Sequence, residues 1–553
     1  MEAYDNNVGL SQRSGVPIEP RLSMQWFLKY PCVKEAAEAV ANGDIVFRPA
    51  RWAKTYAHWL EGIQDWCISR QLWWGHRIPV WYKKDKAAEL QESATLDTAA
   101  MEAGDIYVGV NPPADPENWV QDEDALDTWF SSWLWPFATM DKECLAKFYP
   151  TSDLVTGPDI IFFWVARMIM AGYRFADGKP FGNVFFTSIV RDLLGRKMSK
   201  SLGNSPDPLD LIARYGADGL RFGLMRIAPT GTDVKFDEKQ IEEGKNFANK
   251  LYNAARFRMM QGEASTEPAP KFAPVHIDIL AKLKELHATV AEALGKYEFN
   301  TYTQALYSFF WNEYCSLFLE AVKNDLREGD PAVKNATLFT MDTVLRHYLS
   351  LLAPIMPHIT EELWQSLGFA AKHNGLPLMS TPLPSADALL AGLDETEISK
   401  ARALSTALYE TANRARNLKA EYNLSTNRNV KFVVKPALPV DADSAARLAL
   451  LAGAKETVVD AAYEAPKGTP TALTPFGELF LPLEGLVDVE AERARITKEL
   501  DKITKEITKS NAKLGNASFV DRAPAAVVAQ ERERLADWES KKAQLEAMLS
   551  ALS

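Results

Sequence analysis

Cysteine is scarce in this sequence, and a long apolar run is missing. The 553 residues include 4 cysteines, Cys32, Cys67, Cys144 and Cys315, which lie far apart, with no pair at the spacing of a zinc or redox motif. This pattern argues against a disulfide framework and a metal site. No apolar stretch reaches the length of a membrane span, and no basic-then-apolar leader is visible. We therefore expect a soluble protein of the reducing cytoplasm.

Positive charge is also in short supply. Lys and Arg total 62 against 73 for Asp and Glu, a net charge of −11. This balance argues weakly against a nucleic-acid partner, because phosphate contacts need cations. Two local basic clusters, in residues 414–431 and 493–513, interrupt the acidic average. Local basic faces on an acidic protein suit a nucleic acid that is bound and then released.

The chain is long enough for roughly three or four compact units. Strand-like and helical patterns mix up to residue 240, as in an α/β domain. Residues 242 to about 367 are almost wholly helical in pattern, residues 368–394 are loop-rich, and a smaller mixed unit follows to about residue 485. Residues 488–553 carry two amphipathic stripes close to a heptad spacing, which predict an antiparallel helical hairpin. Residues 83–118 are polar with several prolines and predict a long loop or insertion.

The most informative segment is residues 195–204. Two lysines and two hydroxyl residues stand there between flanking glycines: Gly195, Lys197, Ser199, Lys200, Ser201 and Gly203. The segment follows a β-rich apolar run and precedes a helical pattern. Ammonium groups in such a loop can meet the charge of a departing pyrophosphate, and backbone N–H groups can hold phosphate oxygens. Judged by itself, the segment is equally consistent with a solvated basic turn.

The surrounding sequence favours the phosphate interpretation. The loop matches the KMSKS signature of the class I aminoacyl-tRNA synthetases, and its surroundings resemble the valine-specific members. The resemblance is carried by residues 48–52, 66–79, 127–132, 157–164 and 247–257. Isoleucine-specific enzymes typically differ at 127–132 and 157–164, which disfavours a synthetase for isoleucine or leucine. The similarity extends from about Arg13 to the C-terminus.

This resemblance implies a fold and a function. It implies the second half of a class I Rossmann-type catalytic domain in residues 1–240 and an all-α anticodon-binding bundle in 241–395. A small mixed α/β unit in 396–487 and a coiled-coil tRNA-binding arm in 488–553 would follow. The implied function is ATP-dependent ligation of valine to its tRNA through valyl-adenylate. The implied partners are valine, ATP and the valine tRNA, with Mg²⁺ as cofactor.

The resemblance assigns the loop to ATP. Lys200 is the first candidate for catalysis and Lys197 the second, by stabilising the in-line attack of the amino-acid carboxylate on the α-phosphate. The predicted ATP-binding residues are Lys197, Met198, Ser199, Lys200 and Ser201. The flanking glycines would let the loop close over ATP and reopen.

The resemblance also assigns an amino-acid pocket. Trp129 and Trp164 would be ordinary core residues if considered alone, but the family match makes them walls of an aliphatic pocket, joined by Ile160. Two flat indoles would leave a slot for a short branched side chain. Asp159 stands in an apolar stretch, where an unpaired carboxylate is costly. We therefore expect a cationic or hydroxyl partner for it, on the bound amino acid or on a ribose.

Five basic residues are predicted to contact tRNA: Arg416, Lys419, Arg495, Lys498 and Lys502. The first two belong to a pattern that resembles the basic helix at the start of the small mixed unit. The other three lie on the basic side of the arm. Contacts of this kind to phosphate position a nucleic acid without reading its sequence.

Some expected parts of a synthetase cannot be found in the sequence. These are the HIGH motif, the first Rossmann half and the editing domain. We therefore expect the C-terminal portion of such an enzyme, inactive alone, with a separate N-terminal half that carries the missing parts as a candidate partner. The alternative is a non-catalytic tRNA-binding protein derived from a synthetase. The intact loop favours the enzyme, because a pure binder does not need two lysines aimed at pyrophosphate.

Overall fold

The computed structural model divides into two compact units. The first comprises residues 1–198 and 228–236, and the second residues 199–227 and 237–553. The described residues are 8–11, 14–19, 22–91, 98–199, 202–228, 231–327, 329–466, 469–484, 486, 489–516 and 524–551. Lys200 and Ser201, two of the predicted ATP-binding residues, lie outside them. The predicted four-part division of the chain stays a prediction.

The first unit mixes short strands and helices. Its strands are β1 (Phe27–Leu28), β2 (Val46–Arg48), β3 (Trp66–Cys67), β4 (Ser69–Arg70), β5 (Val80–Lys83), β6 (Ile106–Val108), β7 (Trp119–Gln121), β8 (Ala125–Leu126), β9 (Thr151–Thr156), β10 (Phe181–Phe186), β11 (Val190–Arg191) and β12 (Val234–Lys235). Its helices are α1 (Val33–Ala41), α2 (Arg51–Glu61), α3 (Ala87–Gln91), α4 (Thr98–Glu102), α5 (Thr128–Ser132), α6 (Trp135–Thr139), α7 (Lys142–Phe148) and α8 (Ala166–Phe175).

A three-stranded parallel sheet organises this unit. The strand order is β2-β10-β9, and Val184 of β10 lies opposite Phe47 on one side and Leu154 on the other. Val184 and Phe186 are fully buried, because the central strand of a parallel sheet is covered on both faces and so reads as a continuous apolar run. Helices α1, α2 and α8 contribute side chains to the same core. Because the three strands are parallel, their carboxyl ends lie at the same edge of the sheet.

Residues 83–118 are not the predicted long loop. The segment contains α3, α4 and β6, which is an edge strand of a second, antiparallel sheet with the order β6-β5-β7. Tyr82 and Ile106 are buried in its small core. Prolines between the strands conceal these short elements in the sequence pattern, and residues 92–97 lie outside the described part.

The second unit is predominantly helical. Its helices are α9 (Pro208–Tyr215), α10 (Ala217–Ile227), α11 (Glu238–Met259), α12 (Pro274–Gly295), α13 (Phe299–Ser308), α14 (Leu319–Ala321), α15 (Lys323–Arg327), α16 (Pro331–Leu352), α17 (Pro357–Ser366), α18 (Phe369–Lys372), α19 (Glu395–Glu421), α20 (Ala442–Ala452), α21 (Val489–Leu514) and α22 (Ala525–Ala551). One continuous apolar core runs from Phe222 in α10 to Leu545 in α22. None of the helices in the described part of the chain has the length and apolar character needed to cross a membrane.

The crossing of α10 and α11 is unusually close. A Cβ atom on Gly244 would lie 2.3 Å from the carbonyl oxygen of Gly219, and one on Gly223 would lie 2.7 Å from that of Gln240. Glycines at these positions let the two helix backbones touch. The stacked rings of Phe222 and Phe247, with centroids 4.6 Å apart, lie at the same crossing.

A four-stranded sheet and a pair of long helices complete the second unit. The strands are β13 (Lys431–Pro436), β14 (Glu456–Val459), β15 (Thr471–Thr474) and β16 (Gly477–Phe480), in the order β14-β13-β16-β15. Helices α21 and α22 pack side by side. Lys541 lies 3.6 Å from Glu499, and Ser510 donates to Glu531 at 2.9 Å. These pairs show that the two helices run in opposite directions.

Candidate active site

A cavity of about 460 Å³ lies at the carboxyl edge of the parallel sheet. Ligands of open α/β sheets bind at this edge, beyond the ends of the strands. The lining comes from the segments after β2, β9 and β10 and before β12. Its polar members are Arg51, Asp159, Thr187, Ser188, Arg191, Thr232 and Asp233. A cavity in this position, with charged and hydroxyl side chains set among apolar ones, suits a nucleotide.

Asp159 enters the cavity from the turn after β9. A Cβ atom on Gly157 would lie 2.6 Å from the Asp159 Oδ1 atom, so the glycine leaves room for the carboxylate to fold back. The side chain of Asp159 is 49% exposed, and its Oδ2 atom lies 3.3 Å from the Nζ atom of Lys197. The carboxylate therefore has a cationic partner within the chain. It is also more exposed to solvent than the apolar residues around it in the sequence indicate.

The first half of the lysine-rich loop is a tight hairpin. The backbone N–H of Asp192 donates to the Arg196 carbonyl at 3.0 Å, and that of Arg196 donates to the Asp192 carboxylate at 2.8 Å. Gly195 has a φ of 83°, which favours glycine at this corner. Arg191 and Lys197 pair across the hairpin as an antiparallel bridge. The hairpin thus fixes the backbone from which Lys197 projects.

The second half of the loop is organised by side-chain caps. The backbone N–H of Ser199 donates to the Oδ1 atom of Asn204 at 2.9 Å, and that of Leu202 donates to the Ser199 Oγ atom at 3.3 Å. Gly203 has a φ of 61°. Asn and Ser side chains stabilise turns in this way. In the described part of the loop, Ser199 therefore supports the backbone, while Met198 is half-buried.

Two arginines of the cavity were not identified from the sequence as site residues. Arg191 donates from Nε to the Asp233 carboxylate, and Arg51 donates from Nη2 to the carbonyl of Gly231. Each arginine lies directly after or within a segment that follows a strand of the parallel sheet. This position after a strand could have indicated both arginines as site residues, but only if β2 and β10 were already known to be neighbours.

The two tryptophans of the predicted amino-acid pocket lie side by side at an angle. The rings of Trp129 and Trp164 contact each other, with centroids 4.7 Å apart and an interplanar angle of 60°. Tilted contact is favoured because the positive ring edge meets the negative ring face. The two indoles therefore meet at an angle, and the fit of a short branched side chain between them stays a prediction. The assignment of Trp129, Ile160 and Trp164 to an amino-acid pocket stays a prediction.

A second cavity, of about 650 Å³, borders Trp129. Asp127 organises its wall by accepting from the Trp129 backbone at 2.9 Å and from the Trp66 indole at 3.2 Å. The Arg167 guanidinium lies 3.6 Å from the centre of the Trp66 ring and donates to the Tyr30 hydroxyl at 3.0 Å. Burial raises the pKa of Tyr30, so the hydroxyl stays neutral. The wall is aromatic with two held cations, Arg167 and Arg70, and the second of these pairs with Asp127.

Lys419 is a correction to the predicted tRNA contacts. Its side chain is buried, and Nζ donates to the carbonyls of Asn427, Ala452 and Gly453 at 2.9, 3.2 and 2.7 Å. All three donors of the ammonium are used, two of them at the carboxyl end of α20, where a cation complements the helix dipole. Burial lowers the pKa of Lys419. This lysine stabilises the fold and does not present its charge to a phosphate.

The other predicted tRNA contacts are more accessible. Arg416 is exposed, although its Nε atom donates to the Leu451 carbonyl at 2.7 Å. Arg495 is half-buried and bonds a glutamate one turn further along α21 at 3.0 Å. Lys498 and Lys502 are exposed and stand one turn apart on the same helix. Contact of these four residues with tRNA stays a prediction.

Comparison with known proteins gives three family matches along the chain. Residues 2–237 match the tRNA synthetases class I (I, L, M and V). Residues 277–434 match the anticodon-binding domain of tRNA ligase, and residues 488–553 match the valyl tRNA synthetase tRNA binding arm. The order of the matches agrees with the resemblance drawn from the sequence.

Full-length relatives extend the comparison. A valine–tRNA ligase of Parabacteroides distasonis is 42% identical over 568 residues, which cover 100% of this chain and 62% of the relative. One from Geobacillus stearothermophilus is 40% identical over 573 residues, covering 100% of this chain and 61% of the relative. The chain thus spans about three fifths of the length of the relatives that it matches.

Proposed function

The chain belongs to the class I aminoacyl-tRNA synthetase family, among the valine–tRNA ligases, and from that premise we propose that it takes part in ATP-dependent ligation of valine to tRNA. It would supply the loop-bearing half of the nucleotide site and the units that hold tRNA. The observation that carries the proposal is the cavity at the carboxyl edge of the parallel sheet, with Lys197 beside its lining residue Asp159.

The proposed chemistry has two steps. The valine carboxylate attacks the α-phosphate of ATP, and the bond to the leaving pyrophosphate breaks. A terminal ribose hydroxyl of tRNA then attacks the valyl carbonyl, and AMP leaves. Lys197 and Lys200 would stabilise charge on the phosphates, with Met198, Ser199 and Ser201 shaping the loop around ATP. Loss of one such contact typically costs on the order of 3 kcal/mol, about a hundredfold in rate.

Mg²⁺ would enter with the nucleotide. Across the described ranges, no three His, Cys, Asp or Glu side chains come together in a way that could hold a metal ion. Mg²⁺ prefers phosphate oxygens and water, and is commonly bound through the substrate with few protein ligands. We derive no step of the reaction from a protein-held metal.

The remaining assignments follow the chain outward from the nucleotide. Trp129, Ile160 and Trp164 would border the valine side chain, and Asp159 would face the amino acid or the ribose when ATP is bound. Arg416 on α19 and the exposed side of α21, with Arg495, Lys498 and Lys502, would contact tRNA phosphates. These contacts would position the tRNA, whereas charge compensation at the loop would drive adenylation.

We further propose that the 553-residue chain does not form valyl-adenylate alone. The test is valine-dependent exchange of pyrophosphate into ATP by the purified chain, with and without the N-terminal part of the Parabacteroides distasonis relative. We expect turnover only in the mixture, and a loss of about a hundredfold for Lys200→Met. Lys34→Met, at a side chain that is 84% exposed on α1, is the matched control.

The outcomes separate the candidate functions. Exchange by the chain alone contradicts its proposed dependence on a partner. Tight binding of tRNA without exchange in any mixture favours a non-catalytic tRNA-binding protein. Exchange that survives Lys200→Met contradicts the role proposed for the loop.

A further inference from the structure

We propose that Asp159 and Lys197 form an electrostatic latch that opposes polyphosphate binding until the ligand displaces the carboxylate. The inference rests on the proposed function, which places a triphosphate at the cavity. It adds a role for Asp159, whose carboxylate pairs with the lysine that the phosphates would need.

Two turns of the backbone hold Lys197 and Asp159 close together. The Lys197 Nζ atom lies 3.3 Å from the Asp159 Oδ2 atom. The backbone of Lys197 is held in the hairpin by its bridge to Arg191. Asp159 lies in the turn that follows β9, where its carboxylate is folded back over Gly157. The two residues belong to separate turns, so rotation of either side chain would separate the ion pair.

The cavity has one other acidic residue among its lining, and the two carboxylates have different partners. Asp233 is bonded to Arg191, which is held on β11. Asp159 is bonded to the lysine of the loop. A bound polyphosphate would be repelled by both carboxylates. Loss of the Asp159 charge would remove an ion pair of Lys197, whereas loss of the Asp233 charge would remove an ion pair of Arg191. Only the first change acts on the lysine of the loop.

The exposure of the pair sets the size of the effect. The side chains of Lys197 and Asp159 are 64% and 49% exposed, so water screens their attraction. Exposed pairs of this kind change an equilibrium by no more than about fivefold. The latch is thus weak enough for a triphosphate to open.

The experiment measures binding of inorganic triphosphate to the full chain by titration calorimetry. This ligand has no ribose and no amino acid, so other roles of Asp159 do not enter. The variants are Asp159→Asn, Lys197→Met and the double variant. We expect Asp159→Asn to tighten binding about two- to fivefold, and to have a smaller effect when Lys197 is already replaced. Asp159→Ser serves as a second variant if the first does not fold.

Asp233→Asn is the matched control, because it removes the same charge from the same cavity. Its effect on affinity should be equal with and without Lys197. The proposal is overturned if Asp159→Asn tightens binding equally in both backgrounds, if it does not tighten binding, or if no protein binds triphosphate. None of these results touches the exchange assay with the added N-terminal part, so the proposed function can stand or fall separately.

Discussion

Acid should selectively weaken the helical unit through His276. The ring is fully buried, its Nδ1 atom accepts from the Ala273 backbone at 2.9 Å, and its Nε2 atom lies 2.8 Å from the Thr337 hydroxyl. Burial, helped by the nearby Arg447 charge, lowers the pKa of His276 to about 3. The folded chain therefore holds a neutral ring that the unfolded chain would protonate below its ordinary pKa of 6.5.

The size of the effect follows from the two pKa values. Because the folded pKa is the lower one, the stabilisation is complete above pH 6.5 and is lost as the pH falls towards 3. Proton binding to the unfolded chain lowers the free energy of unfolding by about 2 kcal/mol between pH 7.5 and pH 5. At pH 3 the loss from this one ring reaches about 4 kcal/mol.

Urea unfolding of the full chain, followed by circular dichroism at pH 7.5 and 5, measures the loss. His276→Gln carries no titrating ring and should lose about 2 kcal/mol less than the unsubstituted chain. His58→Gln, at a side chain that is 90% exposed, should leave the loss unchanged. Equal losses for the unsubstituted chain and His276→Gln would refute the reasoning.

Other substitutions test the packing and the corrected contacts. Gly244→Ala should destabilise the chain by about 2–3 kcal/mol in urea unfolding, because its Cβ would lie 2.3 Å from a carbonyl oxygen. Gly295→Ala at the end of α12, with nothing within 4 Å, should be neutral or stabilising by up to about 1 kcal/mol. Lys419→Met should cost about 3 kcal/mol, because three buried carbonyls lose their donor. Lys502→Met should leave the free energy of unfolding within about 0.5 kcal/mol, and a loss as large as that of Lys419→Met would contradict the assignments.

Parts of the site that are local in sequence were predictable. Lys197 and its flanking glycine were found because a short motif carries charge and turn residues together. Arg51 and Arg191 were missed because their position depends on the pairing of β10 with β2, whose partners include Asn183 and Val46. Such pairing joins segments well over a hundred residues apart, and no local pattern encodes it.

Orientation and burial were the other limits. Trp129 and Trp164 contact each other, but the tilt between their rings depends on the backbone that holds each indole, which the sequence pattern does not give. Lys419 and Lys502 look alike in sequence, since both follow a helical pattern among basic residues. One is buried under the end of α20 and the other is exposed on α21. The difference in burial depends on residues that are close in space but distant in sequence.

The basic face of the arm is a consequence of its apolar seam. Ile496 and Ile503 of α21 are buried, and positions two residues further along a helix point about 200° away. Lys498 occupies such a position, and Lys502 repeats it one turn later. Any helix that packs on α22 through this seam must present these lysines to solvent. If they contact tRNA phosphates, replacing Lys498 should reduce the salt dependence of tRNA binding by about one ion. An unchanged salt dependence would place the nucleic acid on another surface.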